Sequence, residues 1–174
     1  MEIRRLGRDE VELLWAIDRS EVSDAAYVVD GGSLALVPRP AELAGWPQAV
    51  VEAETPVLYE CFDRGGIFLG AFGGEQVMGV AVLEGGRVGR DSNQLPLAYL
   101  YVSREHRGHG IGSRLFDAAV ALAREGDASA LYVSATPTQA TVDFYLRRGC
   151  VLAPDPDPGL LAAEPDDIHL VLPL

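Results

Sequence analysis

The sequence contains no lysine, and all 14 of its basic residues are arginine. A P-loop closes its glycine turn with a Lys-Ser/Thr pair, so that phosphate cradle is excluded. Cysteine is nearly absent too. Cys61 and Cys150 alone make no disulfide framework. They read as packing residues, and a reducing, cytoplasmic setting is expected. No apolar run approaches the roughly 18 residues that cross a bilayer, so no membrane association is expected. The opening Met1–Arg5 carries an acid and lacks an apolar core, so no export signal is expected there. The three histidines, His106, His109 and His169, lack local metal-ligand spacing, and no metal is expected. No Gly-x-Ser-x-Gly turn is present to expose a nucleophilic serine.

Positive charge is scarce overall. With 26 acidic residues the formal net charge is −12, and the isoelectric point is about 4.5. Such a field repels polyanions, so nucleic acid is not an expected partner. It attracts cationic amines. A chain of 174 residues with 48% hydrophobic content can bury a sizeable core, and a single domain over 1–174 is expected.

The patterning predicts alternating strands and helices. Met1–Leu6 reads as a strand, and Asp9 as the cap of a helix carrying Val11, Leu14, Trp15 and Ile17. Tyr27–Val29 and Leu34–Val37 flank Asp30-Gly31-Gly32-Ser33, a hairpin signal. Pro38–Pro47 reads as a connection. Ala49–Asp63 reads as a helix that Pro56 kinks or splits. Ile67–Phe72 and Gln76–Leu83 form a second hairpin around Gly73-Gly74. Leu97–Val102 lacks clean alternation and reads as a strand buried on both faces. Ile111, Leu115, Phe116, Ala119, Leu122 and Ala123 form one helical stripe. Leu131–Ser134 and Ile168–Leu172 read as further strands, separated by a second helical run ending at Gly149 and a turn-rich excursion from Pro154. The fold class is α/β, a mixed α+β sheet with helices on both faces.

The most informative stretch is Arg107-Gly108-His109-Gly110-Ile111-Gly112, between the strand ending at Val102 and the helix opening at Ile111. A glycine turn that leaves a strand and opens a helix holds phosphate by free N–H groups and the helix dipole. Arg107 adds a full charge at its mouth. A Rossmann turn needs its third glycine one place later, although Asp127 stands about 20 residues on, where that motif puts its ribose-binding acid. Arg107, Gly110 and Gly112 instead satisfy Arg/Gln-x-x-Gly-x-Gly/Ala. In this the chain resembles the GCN5-related N-acetyltransferases, whose acyl-CoA pyrophosphate loop has that pattern. The family's second signature is matched by Tyr145 and Gly149. Thr138 stands where an Asn is usual, and Cys150 where a Phe is usual. The resemblance is clearest from Ile67 to Leu174, with an acyl-CoA-binding core over about 67–152.

The resemblance implies a twisted mixed sheet, acetyl-CoA as co-substrate, and a primary amine of a small molecule or peptide as acceptor. It implies direct transfer in a ternary complex, and a homodimer through terminal strands is a further expectation. The pyrophosphate would sit on the N–H groups of Arg107, Gly108, His109, Gly110, Ile111 and Gly112, and on Ser113. Pantetheine would pair with Leu100 and Val102, with an oxyanion-binding N–H near Leu100. Thr138 would contact CoA. Tyr145 would protonate the departing thiolate, since a phenol with pKa near about 10 is protonated at neutral pH. The base has no owner, because Ala98 and Tyr99 stand where many relatives carry a Glu. Asp18, Glu21, Glu60 and His169 are the candidates for base or acceptor binding, beside a water chain or an acceptor that arrives deprotonated. A catalytically weak acyl-CoA sensor is the alternative function.

Overall fold

The computed structural model describes residues 1–174. The chain runs through β1 (Glu2–Arg5), a 3₁₀ segment (Arg8–Ala16), β2 (Glu21–Asp30), β3 (Ser33–Leu43) and α1 (Gln48–Asp63). It continues with β4 (Ile67–Gly73), β5 (Gln76–Leu83), β6 (Gln94–Val102), α2 (Ile111–Glu125) and β7 (Ala130–Ala135). The last elements are α3 (Gln139–Leu146), β8 (Val151–Leu152), α4 (Pro158–Ala163) and β9 (Ile168–Pro173).

Three local expectations are corrected. The helix expected after Asp9 is a 3₁₀ segment capped at Gly7, whose N–H donates to Glu10 Oε2 at 2.9 Å. Arg4 grips the same carboxylate, so Asp9 lies inside the first turn and not at its cap. The expected connection from Pro38 is strand. β3 continues to Leu43 through Pro38 and Pro40, which an edge strand tolerates because one side needs no N–H donors. Pro56 does not divide α1, which runs unbroken to Asp63.

Seven strands form one sheet in the order β1-β4-β5-β6-β7-β9-β8, while β2 and β3 pair separately. The sheet has helices on both faces. On one face Leu69, Ala81, Leu83, Leu131 and Val133 meet the α2 stripe of Leu115, Phe116, Ala119 and Ala123. Val120 joins that stripe, while Leu122 is only partly buried. On the other face Phe68, Phe72, Val80 and Val82 meet Val11, Leu14 and Ile17 of the 3₁₀ segment and Leu58 of α1. Each fully buried side chain of this size contributes roughly 1.5–3 kcal/mol.

The sheet forks between β6 and β7. The two strands are parallel and pair only over Gln94–Pro96 against Ala130–Tyr132. Pro96 has no N–H to continue the ladder. The β5–β6 register then shifts, with Leu83 opposite Leu97 but Val82 opposite Tyr99, so Ala98 is the extra residue of a bulge. A bulge bends its strand and re-aims the side chains beyond it. This corrects the reading of Leu97–Val102 as buried on both faces. The lost alternation is the bulge itself, Ala98 is exposed, and Tyr99 to Val102 are half-buried beside an open cleft.

Candidate active site

β6 keeps pairing with β5 beyond the bulge, which settles where its free backbone groups point. The Ser103 N–H donates to the Met78 carbonyl at 2.9 Å. Antiparallel pairing alternates, so Tyr101 and Tyr99 also bond toward β5 while Leu100 and Val102 turn N–H and C=O into the fork. The Val102 carbonyl already accepts from Arg107 Nε at 2.9 Å. The strand therefore offers the open backbone edge that the resemblance asked of Leu100 and Val102.

Of the loop's three glycines, Gly108 at φ +80° and Gly110 at φ +79° are in left-handed backbone, while Gly112 lies in the first turn of α2. Gly110 caps α2 without any side-chain capping bond, and no acid occupies the first helical turn. The N–H groups of Ile111, Gly112 and Ser113 thus have no partner within the helix. A Cβ on Gly112 would meet Val102 and Phe144 only at 3.5–3.6 Å, ordinary contact.

Arg107 does other work than expected. Its guanidinium donates to the carbonyls of Val102, Ser20 (3.0 Å) and Asp18 (3.2 Å). It ties the turn before β2 to β6 and is not a free cation at the loop's mouth. Asp18 is part of that tie. Its carboxylate accepts from the Ser20 N–H at 2.9 Å. Its pKa is held below the usual range, first by Ser20 and then by Arg107 and Arg104. It faces a separate surface depression beside Ser103 and Arg104.

A cavity of about 690 Å³ runs from this loop through the fork to the base of the β2–β3 hairpin. Arg107, Gly108, Gly110, Ile111, Gly112 and Ser113 line one end. Leu100, Tyr101 and Val102 line one wall, and Ser134, Ala135, Thr141, Phe144, Tyr145 and Arg147 the other. Arg19, Glu21, Val22 and Leu43 line it at the base of the hairpin, where Ser20 meets Arg107. His109 is exposed and outside the lining, whereas His106 belongs to it. The hairpin is seated on α3: the Tyr27 hydroxyl donates to Asp143 at 2.8 Å and its N–H to the Pro137 carbonyl at 2.8 Å.

The remaining predicted residues divide. Tyr145 lines the cavity, is only 6% exposed, and its hydroxyl makes no hydrogen bond within the protein. Burial raises its pKa far above that of a free phenol, so it stays protonated. Glu21 lines the cavity, and its Oε1 is buried without a partner. Arg19 Nε is likewise unpartnered, with the guanidinium over the Trp46 ring at 4.2 Å. The other three assignments are corrected. Glu60 sits on the solvent side of α1 with Arg64, outside the cavity. Thr138 is buried at the α3 N-terminus, donating to Thr141 Oγ1 at 3.0 Å, and it is Thr141 that reaches the cavity. His169 is a satisfied core histidine. Its Nδ1 lies 2.8 Å from the Tyr132 hydroxyl, which accepts from the Asp157 N–H, and its Nε2 lies 3.2 Å from the Glu164 carbonyl. One tautomer satisfies all three bonds, with Tyr132 donating to Nδ1 and Nε2–H donating to Glu164.

Sequence reasoning missed Arg148. Its guanidinium donates to Ser113 and lies against the rings of Phe144 (4.5 Å) and Phe116 (5.5 Å). It therefore holds the hydroxyl that the sequence assigned to phosphate. Arg-Arg-Gly at a helix end carries no signal of that reach. Burial pushes the Cys150 thiol up to about 11, so it is no nucleophile at neutral pH.

A fork lined by free backbone, a left-handed glycine turn opening a helix, and a buried phenol thus share one cavity. The family model of the acetyltransferase (GNAT) family matches residues 36–150, and the chain belongs to that family. By that membership it is an acetyltransferase. No curated protein matches the sequence. Among solved structures it is similar to a nourseothricin acetyltransferase, with 23% identity, TM-score 0.74, and 99% of this chain and 97% of that one covered. It is also similar to a protein from Bacillus anthracis str. Ames, described as a streptothricin acetyltransferase and solved with acetyl coenzyme A (20%, TM-score 0.66, 99% and 97%). A third is the PaiA N-acetyltransferase of Thermoplasma acidophilum with coenzyme A (18%, TM-score 0.63, 99% and 98%). At these identities the structures speak for the fold.

Proposed function

We propose that the protein moves the acetyl group of acetyl-CoA directly onto a primary amine of a small molecule or peptide. The observation that carries this reading is the continuity of the cavity. One passage joins the glycine loop, the free backbone of Leu100 and Val102, and the Tyr145 hydroxyl. The pyrophosphate is held by N–H groups between Arg107 and Ser113, where the α2 dipole adds positive potential. Pantetheine adds to the edge of β6 through Leu100 and Val102. The Leu100 N–H receives the oxyanion, a donor of a kind worth about 3–4 kcal/mol of barrier.

Amine nitrogen attacks the thioester carbon, the C–S bond breaks, and Tyr145 donates its proton to the thiolate. The buried thiol of Cys150 favours this direct route over an acyl-enzyme. Acceptor amines enter past Glu21 and Arg19. The names of similar structures, nourseothricin acetyltransferase among them, agree with an amine acceptor. The test is calorimetric titration with acetyl-CoA, with NADH in parallel, followed by thiol release with amines. Micromolar acetyl-CoA binding and amine-dependent thiol release are expected. Binding without release would favour an acyl-CoA sensor, and binding of NADH alone would refute the donor assignment.

A further inference from the structure

The transfer reading leaves one proton without a destination. A cationic amine must lose it before its nitrogen can attack, and the strand position where many relatives carry a Glu holds Ala98 and Tyr99. We propose that Asp167, at the entry to β9, is the base that takes this proton. The inference rests on the acetyltransferase reading and names a residue of the same site.

Strand register carries the argument. Ile168 is paired with Ala135, the last residue of β7. Asp167 therefore stands beside Ala135 and Thr136, where the fork is open and both residues line the cavity. Strand alternation puts Ile168 in the core under α2 and Asp167 on the opposite face, the side of His169. Across the fork the Ala98 bulge sends Tyr99 and Tyr101 to that same face. Tyr101, Arg19 and Glu21 thus line the cavity on one side, and Asp167, half-buried, stands at its edge on the other beside Ala135 and Thr136.

The charges around Asp167 can be named. Its own segment supplies Glu164 and Asp166, both repelling its ionisation. The Asp167 charge acts on the hydroxyls of Tyr101 in β6 and Tyr145 in α3. His169, two residues on, is engaged with Tyr132 and the Glu164 carbonyl. Burial, then Glu164 and Asp166, push the Asp167 carboxyl up to about 6, which suits a base at neutral pH. The reacting end of the site is marked independently by Tyr145, buried in the cavity wall with an unpartnered hydroxyl.

The protons balance. The ammonium gives its first proton to Asp167, which passes it to solvent. The freed lone pair attacks the thioester carbon, and the C–S electron pair leaves on sulfur. Tyr145 protonates that sulfur and recovers a proton from the nitrogen of the new amide.

The test is thiol release from acetyl-CoA with spermidine, lysine and an alanyl peptide as acceptors, from pH 5 to pH 9. For the amine with most release, Asp167→Asn is expected to lower kcat/KM at neutral pH on the order of 100-fold or more. Its acetyl-CoA Kd should be unchanged, and the acidic limb of the wild-type profile should vanish. Asp167→Glu should restore part of the rate together with the limb. Activity of the Asn variant within threefold of wild type, a persisting limb, or a shifted acetyl-CoA Kd would overturn the assignment. If the Asn variant does not fold, ¹³C NMR of the wild-type carboxylate replaces it: a titration that misses the kinetic limb overturns the assignment. Wild-type protein that binds acetyl-CoA but releases no thiol to any amine refutes the transfer reading, and Asp167 with it. An active wild type with an unimpaired Asn variant refutes Asp167 alone.

Discussion

Replacing Tyr145 by Phe removes one hydroxyl and should lower activity while leaving stability nearly unchanged. The ring packs at centroid distances of 5.9 Å from Phe116 and 5.1 Å from Phe144, and Phe keeps those contacts. The hydroxyl bonds to no protein group and opens onto the cavity. A hydroxyl that water reaches carries little desolvation penalty, so deleting it should change stability by less than about 1 kcal/mol. For a domain of this size that keeps any change in Tm below about 2–4 °C. As the acid that protonates the thiolate, the same hydroxyl is worth about 10²–10⁴ in rate, or about 3–5 kcal/mol of barrier. Thiol release under saturating acetyl-CoA should fall by that factor while the Kd for acetyl-CoA holds. Thermal unfolding of the two proteins reads the stability term. A variant with lower Tm and unchanged turnover would refute the reasoning, because that is the signature of a hydroxyl bonded within the core.

Two further substitutions probe the loop and the acceptor side. Gly110→Ala should weaken acetyl-CoA binding at least tenfold by calorimetry, since φ +79° costs an L-residue about 1–2 kcal/mol, whereas Gly112→Ala meets only ordinary contacts and should bind nearly as wild type. Asp167→Asn should stabilise the protein at pH 7.5 and not at pH 4, read by urea unfolding. Burial pushes the folded carboxyl up to about 6, above the ordinary aspartate range, so its ionisation removes stability as pH rises from that range through about 6. Solvent screening reduces this to on the order of 1 kcal/mol.

Much of the donor half was legible in the sequence because it is made of local signals. The glycine turn, the α2 stripe and the Tyr145–Gly149 spacing each lie within one segment, and each forms where its pattern predicts. The acceptor half was not legible, because it is assembled across the chain. Asp18 and Arg107 are 89 residues apart and meet through a carbonyl, which no side-chain pattern announces. His169 and Tyr132 pair through register between β9 and β7. Glu60 reads as well as Glu21 in a sequence, and only the packing of α1 turns it to solvent. Asp167 has the composition of a surface turn until the β7–β9 register brings it to the open fork.

In the proposed reaction the fork lets one site serve two ligands of opposite charge in an acidic protein. Pro96 ends the β6–β7 ladder and the Ala98 bulge rotates the strand beyond it. That rotation turns Leu100 and Val102 toward the α2 face and Tyr99 and Tyr101 toward the other. In the proposed reaction the anionic cofactor would be met on the first side by helix N–H groups, which need no net positive charge in the chain. The cationic acceptor would be met on the second side by Glu21 and Asp167, with the acidic surface behind them drawing it in. A fork between two strands is thus a way to bring an anion and a cation to one carbon while keeping their binding surfaces on opposite faces of a sheet. Without the bulge, regular pairing with β5 would exchange those faces for every side chain from Tyr99 to Val102.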